Sequence, residues 1–265
     1  MDLKEAEKEF DKYIENFDKT IPKMKRKIEH SKRVMKNCKE IATSLGLSQK
    51  EIEVASLIGL LHDIGKLKQI ENTEYKKTEH GELAVQILKE NNYIRRFIKE
   101  NDYDEIIFKA IKNHGLFAIE EGLNSKELLF AKIIRDADKL DIFYEGAYMF
   151  WTSEEEKEQV EKSYISKMVF EKFMKEKPMN KNIESTPLDR VIEFIAFIFD
   201  INYKYDFEII KKEDYINKIL DKFKIENQGT LEQFEEVRNK ANGYVCQKSF
   251  IWYKSRNKNI EIFVV

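Results

Sequence analysis

The sequence predicts an all-α protein, a helical bundle with a C-terminal helical extension, on three observations. Glycine and proline are scarce, at 9 and 3 of 265 residues, so few positions interrupt a helix. A surplus of Lys and Glu suits solvated helix faces. Apolar residues recur at three- and four-residue spacings, in segments with Ser or Asn capping signals and glycine stops.

A chain of 265 residues can bury one large core or two modest ones. We expect one helical domain, residues 1–150, with a C-terminal helical extension over 151–265 packed on it and no recognisable linker. The formal charge of −2 offers no positive field for nucleic acid or an anionic membrane. Cys38 and Cys246 lie far apart and make no disulfide framework, so a reducing compartment is expected. The charged start Met-Asp-Leu-Lys-Glu lacks the apolar core of a signal peptide. The most apolar window, Val191 to Ile201, contains Glu193 and Asp200 and is too short to span a bilayer. The expectation is a cytoplasmic protein.

The first helix runs from Leu3 to Phe17 on Leu3, Ala6, Phe10, Tyr13 and Ile14, and stops near Ile21-Pro22. A second, Lys23 to Leu45, has its stripe at Ile28, Met35, Cys38, Ile41-Ala42 and Leu45, with His30 at its border. Gly46 stops it, and Ser48-Gln49-Lys50-Glu51 reads as a capping box. The next helix, Ile52 to Leu61, is apolar nearly all round and therefore buried, so it carries His62 and Asp63 inward. Lys66 to Lys77 is polar and is expected to be a loop.

A short helix over Glu79 to Lys89 places His80, Ala84 and Ile87 on one face. Another, Asp104 to Asn113, aligns Ile107, Ala110, Ile111 and His114 before Gly115. Asn124 to Glu127 caps a helix over Leu128 to Tyr144. On it, Ala131, Ile134, Asp138 and Asp141 share a side, whereas Asp136 keeps company with Lys132 and Lys139 in the pattern of a solvated ion-pair face. Asp138 is thus the inward carboxylate, and Arg135 and Lys139 are expected at the surface. Beyond residue 150, Glu154 to Glu161 is acidic and solvated, Pro178 to Pro187 is a loop, and Asp189 to Asp200 is an apolar helix. Helices follow near Asp214–Phe223 and Leu231–Asn242; residues 250–265 fit a hairpin or a frayed tail equally well.

The four histidines, His30, His62, His80 and His114, all end, begin or border helices in the first part. A solitary histidine in such a place is usually a satisfied core residue, but four in agreement point to a shared site. An inward carboxylate is costly unless paired or metal-bound, which singles out Asp63 and Asp138. The competing reading pairs His30 with Asp138 and Asp63 with Lys66. A set of His and carboxylate without thiolate suits one or two divalent transition-metal ions (Fe, Mn, Co, Ni or Zn) rather than structural zinc.

His30, the pair His62-Asp63 and Asp138, in that order on successive helices, resemble the H…HD…D signature of the HD-domain metal-dependent phosphohydrolase superfamily. His62-Asp63-Ile64-Gly65-Lys66 is similar to its HDIGK variant, and Ala137-Asp138-Lys139-Leu140 to the segment carrying its last aspartate. The resemblance covers roughly residues 20–150 and implies an HD-domain helical bundle. It implies that His30, His62, Asp63 and Asp138 hold a first ion. His80 and His114 occupy the places where some members hold a second, with Asp63 bridging. The implied reaction is hydrolysis of a phosphate ester or anhydride of a small metabolite, a nucleotide foremost, by metal-activated water.

Asp63 and Lys66 are the catalytic candidates, and Lys66 and Arg33 the substrate-phosphate candidates. His114-Gly-Leu-Phe departs from the longer motif of the cyclic-di-GMP diesterases, which disfavours that substrate. Two other readings stay open: a di-iron oxygenase of the same helical superfamily, and a non-catalytic nucleotide-binding module. The expected partners are the small phosphorylated substrate and, as an open option, a second copy of the chain.

Overall fold

The structure, a computed structural model, describes residues 2–149, 153–179 and 184–250. Among these every regular element is a helix and no strand is present. The chain divides into two units, Met1–Asp141 and Ile142–Val265.

In the first unit, α1 (Leu3–Ile14) is opened by the Asp2 carboxylate, which accepts from the Lys4 and Glu5 amides. Helix α2 (Pro22–Ser44) starts with proline at its first position, where the missing N–H costs nothing. Its end is encoded residue by residue. Gly46 adopts φ 70°, and the Leu47 and Gly46 amides donate to the Ala42 and Thr43 carbonyls at 3.2 and 3.0 Å. Ser48 then caps α3 (Gln49–Leu61) in a reciprocal box with Glu51. The resulting helical hairpin is tight. A Cβ on Gly59 of α3 would stand 2.8 Å from the Met35 Cα and from the Val34 carbonyl of α2.

Helix α4 (Ile64–Glu71) follows α3 directly, and a 3-10 turn over Thr73–Lys77 follows it. The loop expected over Lys66–Lys77 is therefore wrong. Leu67 is buried, and the Gln69 amide donates to the Thr78 and Tyr75 carbonyls at 2.7 and 3.3 Å. Gln69 thus turns its polarity inward, while Glu71 and Thr73–Lys77 remain exposed. Helices α5 (His80–Lys89) and α6 (Asp104–Asn113) complete the layer, α4 packing on α5 and α5 on α6. A Cβ on Gly65 would collide with the His80 carbonyl, so α4 and α5 touch backbone to backbone.

Asn124 caps α7 (Ser125–Tyr148), accepting from the Lys126 and Glu127 amides at 2.9 and 3.0 Å. The solvated face expected on this helix does not exist. Asp136 is fully buried, and Arg135 and Lys139 are nearly so. Arg135 donates to loop carbonyls and Lys139 to the Arg135 carbonyl at 3.3 Å, so neither is at the surface as expected. A lysine–aspartate spacing reports a helix side, not what covers it.

The second unit contains α8 (Glu154–Glu161), α9 (Lys167–Met174), α10 (Pro187–Ile195), α11 (Lys204–Lys212), α12 (Tyr215–Leu220) and α13 (Gln228–Phe250). The acidic stretch 154–161 is helical with Val160 buried. The apolar segment expected as one helix is α10 followed by a 3-10 turn over Ala196–Asp200; the sequence reading lacked α9 and α11. Phe173, Phe199, Tyr244 and Phe207 form a chain of ring contacts with centroids 4.9, 4.9 and 5.9 Å apart. Residues 251–265, for which hairpin and tail were both open, lie outside the described residues. No described helix is long and apolar enough to cross a membrane.

Candidate metal centre

His62 and His114 occupy equivalent places, each the residue that closes a helix. Helix ends leave carbonyls without intrahelical donors. Here the imidazoles supply them: Nδ1 of His62 lies 2.7 Å from the Gly59 carbonyl and Nδ1 of His114 lies 2.6 Å from that of Ile111. A carbonyl only accepts, so both Nδ1 atoms carry the proton and both Nε2 atoms present a lone pair. His30 is oriented by a carboxylate instead, its Nδ1 2.6 Å from Oδ2 of Asp141.

The Nε2 atoms meet in pairs, His30 with His62 at 3.2 Å and His80 with His114 at 2.9 Å. Asp63 stands between the pairs and divides its oxygens. Its Oδ2 is 3.5 Å from Nε2 of both His30 and His62. Its Oδ1 is 3.8 Å from Nε2 of both His80 and His114. The backbone at Asp63, φ −105° and ψ 12°, lies outside the helical region and separates α3 from α4. Asp138 joins the first pair, with Oδ1 3.1 Å from His30 Nε2 and 3.9 Å from His62 Nε2.

Burial grades the site. The side chains of His30, His62, Asp63 and His114 are at most 3% exposed, whereas Asp138, His80 and Lys27 are 20–22% exposed. Solvent therefore reaches the centre past those three. Burial pushes the His62 and His80 imidazoles down, to about 3 and about 4, so both are neutral at pH 7. Burial also disfavours charge on His30, but the Asp138 and Asp141 carboxylates outweigh it and raise the imidazole to about 9. Desolvation works against charge on Asp63 and Asp138 as well, yet Lys27 and His62 beside the first, and His30 beside the second, hold both carboxyls below the usual range.

The sets His30–His62–Asp63 and Asp63–His80–His114 each have ligand atoms within 4.8 Å of one another. Donor atoms about 2.1 Å from one cation stand roughly 3–4 Å apart, so both sets fit a divalent ion, with Asp63 common to them. Imidazole nitrogens and carboxylate oxygens, without thiolate, match the chemistry of borderline metals.

The structure thus brings together all six ligand candidates of the sequence, His30, His62, Asp63, His80, His114 and Asp138. It places the other candidates differently. Lys66 is half-buried, with Nζ 3.2 Å from the Gln69 amide oxygen. Arg33 grips Asp141, Nε to Oδ1 at 2.6 Å and Nη2 to Oδ2 at 3.0 Å. Two residues at the centre escaped sequence reasoning. Asp141 shares a helix side with Asp138, a signal that was visible but not followed. Lys27, three residues before His30, puts its ammonium 2.6 Å from Asp63 Oδ2.

Residues 28–142 match the family described as HD domain. Over that stretch the chain resembles an HD domain. HD domains form a superfamily of metal-dependent hydrolases; within the matched stretch α2 carries His30, the end of α3 His62 and Asp63, and α7 Asp138. No curated protein and no solved structure matches the chain.

Proposed function

We propose that this protein is a metal-dependent phosphohydrolase that cleaves a phosphate ester or anhydride of a small metabolite, a nucleotide foremost. One observation carries the reading: a single carboxylate, Asp63, faces two histidine pairs with one oxygen each. Divalent ions held by His30, His62 and Asp63 and by Asp63, His80 and His114 would supply Lewis acidity toward phosphoryl oxygens and lower the pKa of water toward neutrality.

The remaining work belongs to side chains. His62 and His114 are locked in one tautomer by helix-end carbonyls, so their Nε2 lone pairs point into the centre without rearrangement. Asp138 and His80 stand at the solvent-facing side, where a substrate enters. Lys27, beside Asp63, is placed to meet phosphoryl oxygens as a point charge. Lys66 is a second candidate ammonium, its pKa lowered by burial against the opposing pull of Asp63. Hydrolysis makes a P–O bond to water and breaks the one to the leaving group, which positioning and charge neutralisation suffice to promote.

The test is phosphate release from a panel of phosphorylated metabolites by metal-stripped protein reloaded with manganese or cobalt, with and without dioxygen. Release independent of dioxygen is the expected result. Dioxygen consumption without phosphate release would favour the oxygenase, and tight ligand binding without turnover the binding module.

A further inference from the structure

We infer that Arg135 of α7 is the positioning residue of the His80–His114 half of the centre and governs occupancy of that half alone. The inference rests on the two-ion reading above.

Arg135 is 4% exposed, and its guanidinium collects a run of backbone carbonyls. Nη1 lies 3.1 Å from the Asn113 carbonyl and 3.5 Å from that of His114, and also donates to that of Leu116. Nη2 reaches the Phe117 carbonyl at 3.2 Å. These belong to the end of α6 and the turn after it, where a helix leaves acceptors unpaired and favours a cation. The planar fork of donors suits this better than an ammonium. The turn is thus wrapped around one buried side chain.

That turn sets both imidazoles of the second half. It contains His114, whose ring is fixed to the Ile111 carbonyl. It also contains Gly115, against which the His80 ring lies: a Cβ there would stand 2.7 Å from His80 Cε1 and 2.9 Å from Nε2. A shift of the turn by a few tenths of an ångström displaces both rings. The other half has separate supports, Asp141 for His30 and the Gly59 carbonyl for His62.

The test is manganese stoichiometry by equilibrium dialysis of metal-stripped full-length protein, with melting temperature followed in parallel. We compare the parent with Arg135→Gln, with Arg135→Lys in case the glutamine variant does not fold, and with His80→Ala as reference. The expected result is two ions in the parent, and in Arg135→Gln one ion held as before with the second weakened about 10–100-fold, the usual effect of losing a residue that orients a ligand. Arg135→Lys should fall between, since an ammonium can serve some of the same carbonyls. A lowered melting temperature with both ions bound as in the parent would overturn the inference and leave Arg135 a helix cap. Equal weakening of both ions would also overturn it. A parent that binds one ion, unaffected by His80→Ala, would instead sink the two-ion reading itself.

Discussion

His30 Nδ1 lies 2.6 Å from Oδ2 of Asp141, and the same carboxylate is gripped by Arg33. This fixes which imidazole nitrogen faces Asp63 and Asp138, because the other is committed. Asp141 is therefore expected to matter without being a ligand. Asp141→Asn should weaken metal binding about 10–100-fold while the ligand set stays intact. Titration of metal-stripped protein with cobalt, read by absorbance, checks this; unchanged affinity would show that the carboxylate merely neutralises Arg33.

Asp136 and Asp138 separate by readout. Asp138 Oδ1 lies 3.1 Å from His30 Nε2 and 3.9 Å from His62 Nε2, whereas Asp136 is fully buried. Asp138→Asn should lose most bound metal and activity with a modest change in melting temperature. Asp136→Asn should lower the melting temperature and spare metal content. Equal metal loss in both would contradict this assignment of faces.

Lys27 offers a test of the phosphate reading. With its ammonium 2.6 Å from Asp63 and partly exposed, Lys27→Met is expected to raise KM for a phosphorylated substrate more than it lowers kcat. Lys27→Arg should recover part of the loss. A Lys27→Met variant with unaltered KM would confine the lysine to balancing the charge of Asp63.

Acid stability has a source remote from the centre. The Glu51 carboxyl is held down to about 2, first by the Ser48 hydroxyl and then by Lys126, 2.9 Å away. A carboxyl depressed below its unfolded value of about 4.3 stabilises the fold above that pH and ceases to do so as pH falls toward 2. Glu51→Gln should lower the melting temperature at pH 7, and the gap to the parent should narrow between about pH 4.5 and 2. Ser48→Ala should cost about 1 kcal/mol at neutral pH as a lost cap. A Glu51→Gln gap that is constant with pH would show that the carboxyl's charge is not what stabilises the hairpin.

Much of this was legible in the sequence, for identifiable reasons. Ser48 to Glu51, Gly46 and the wholly apolar α3 are local signals, and local hydrogen bonds realise them. The six converging ligand candidates were legible because each histidine stands at a helix end or stripe border, where its bearing follows from helical spacing. What failed required knowledge of neighbours. Lys66 to Lys77 is as polar as a loop, yet Leu67 is buried and the Gln69 amide turns inward onto the Tyr75 and Thr78 carbonyls. Arg135, Asp136 and Lys139 read as a solvated face because spacing cannot reveal that α7 is covered. Lys27 was passed over because its partner, Asp63, is 36 residues away.

The sharing of Asp63 between two histidine pairs is tested most directly by counting bound manganese in metal-stripped protein carrying Asp63→Ala, His80→Ala or no change, with helical circular dichroism as the folding check. The expected result is two ions in the parent, one in His80→Ala and none held tightly in Asp63→Ala, all three equally helical. An Asp63→Ala protein that keeps one tightly bound ion at either pair would contradict it.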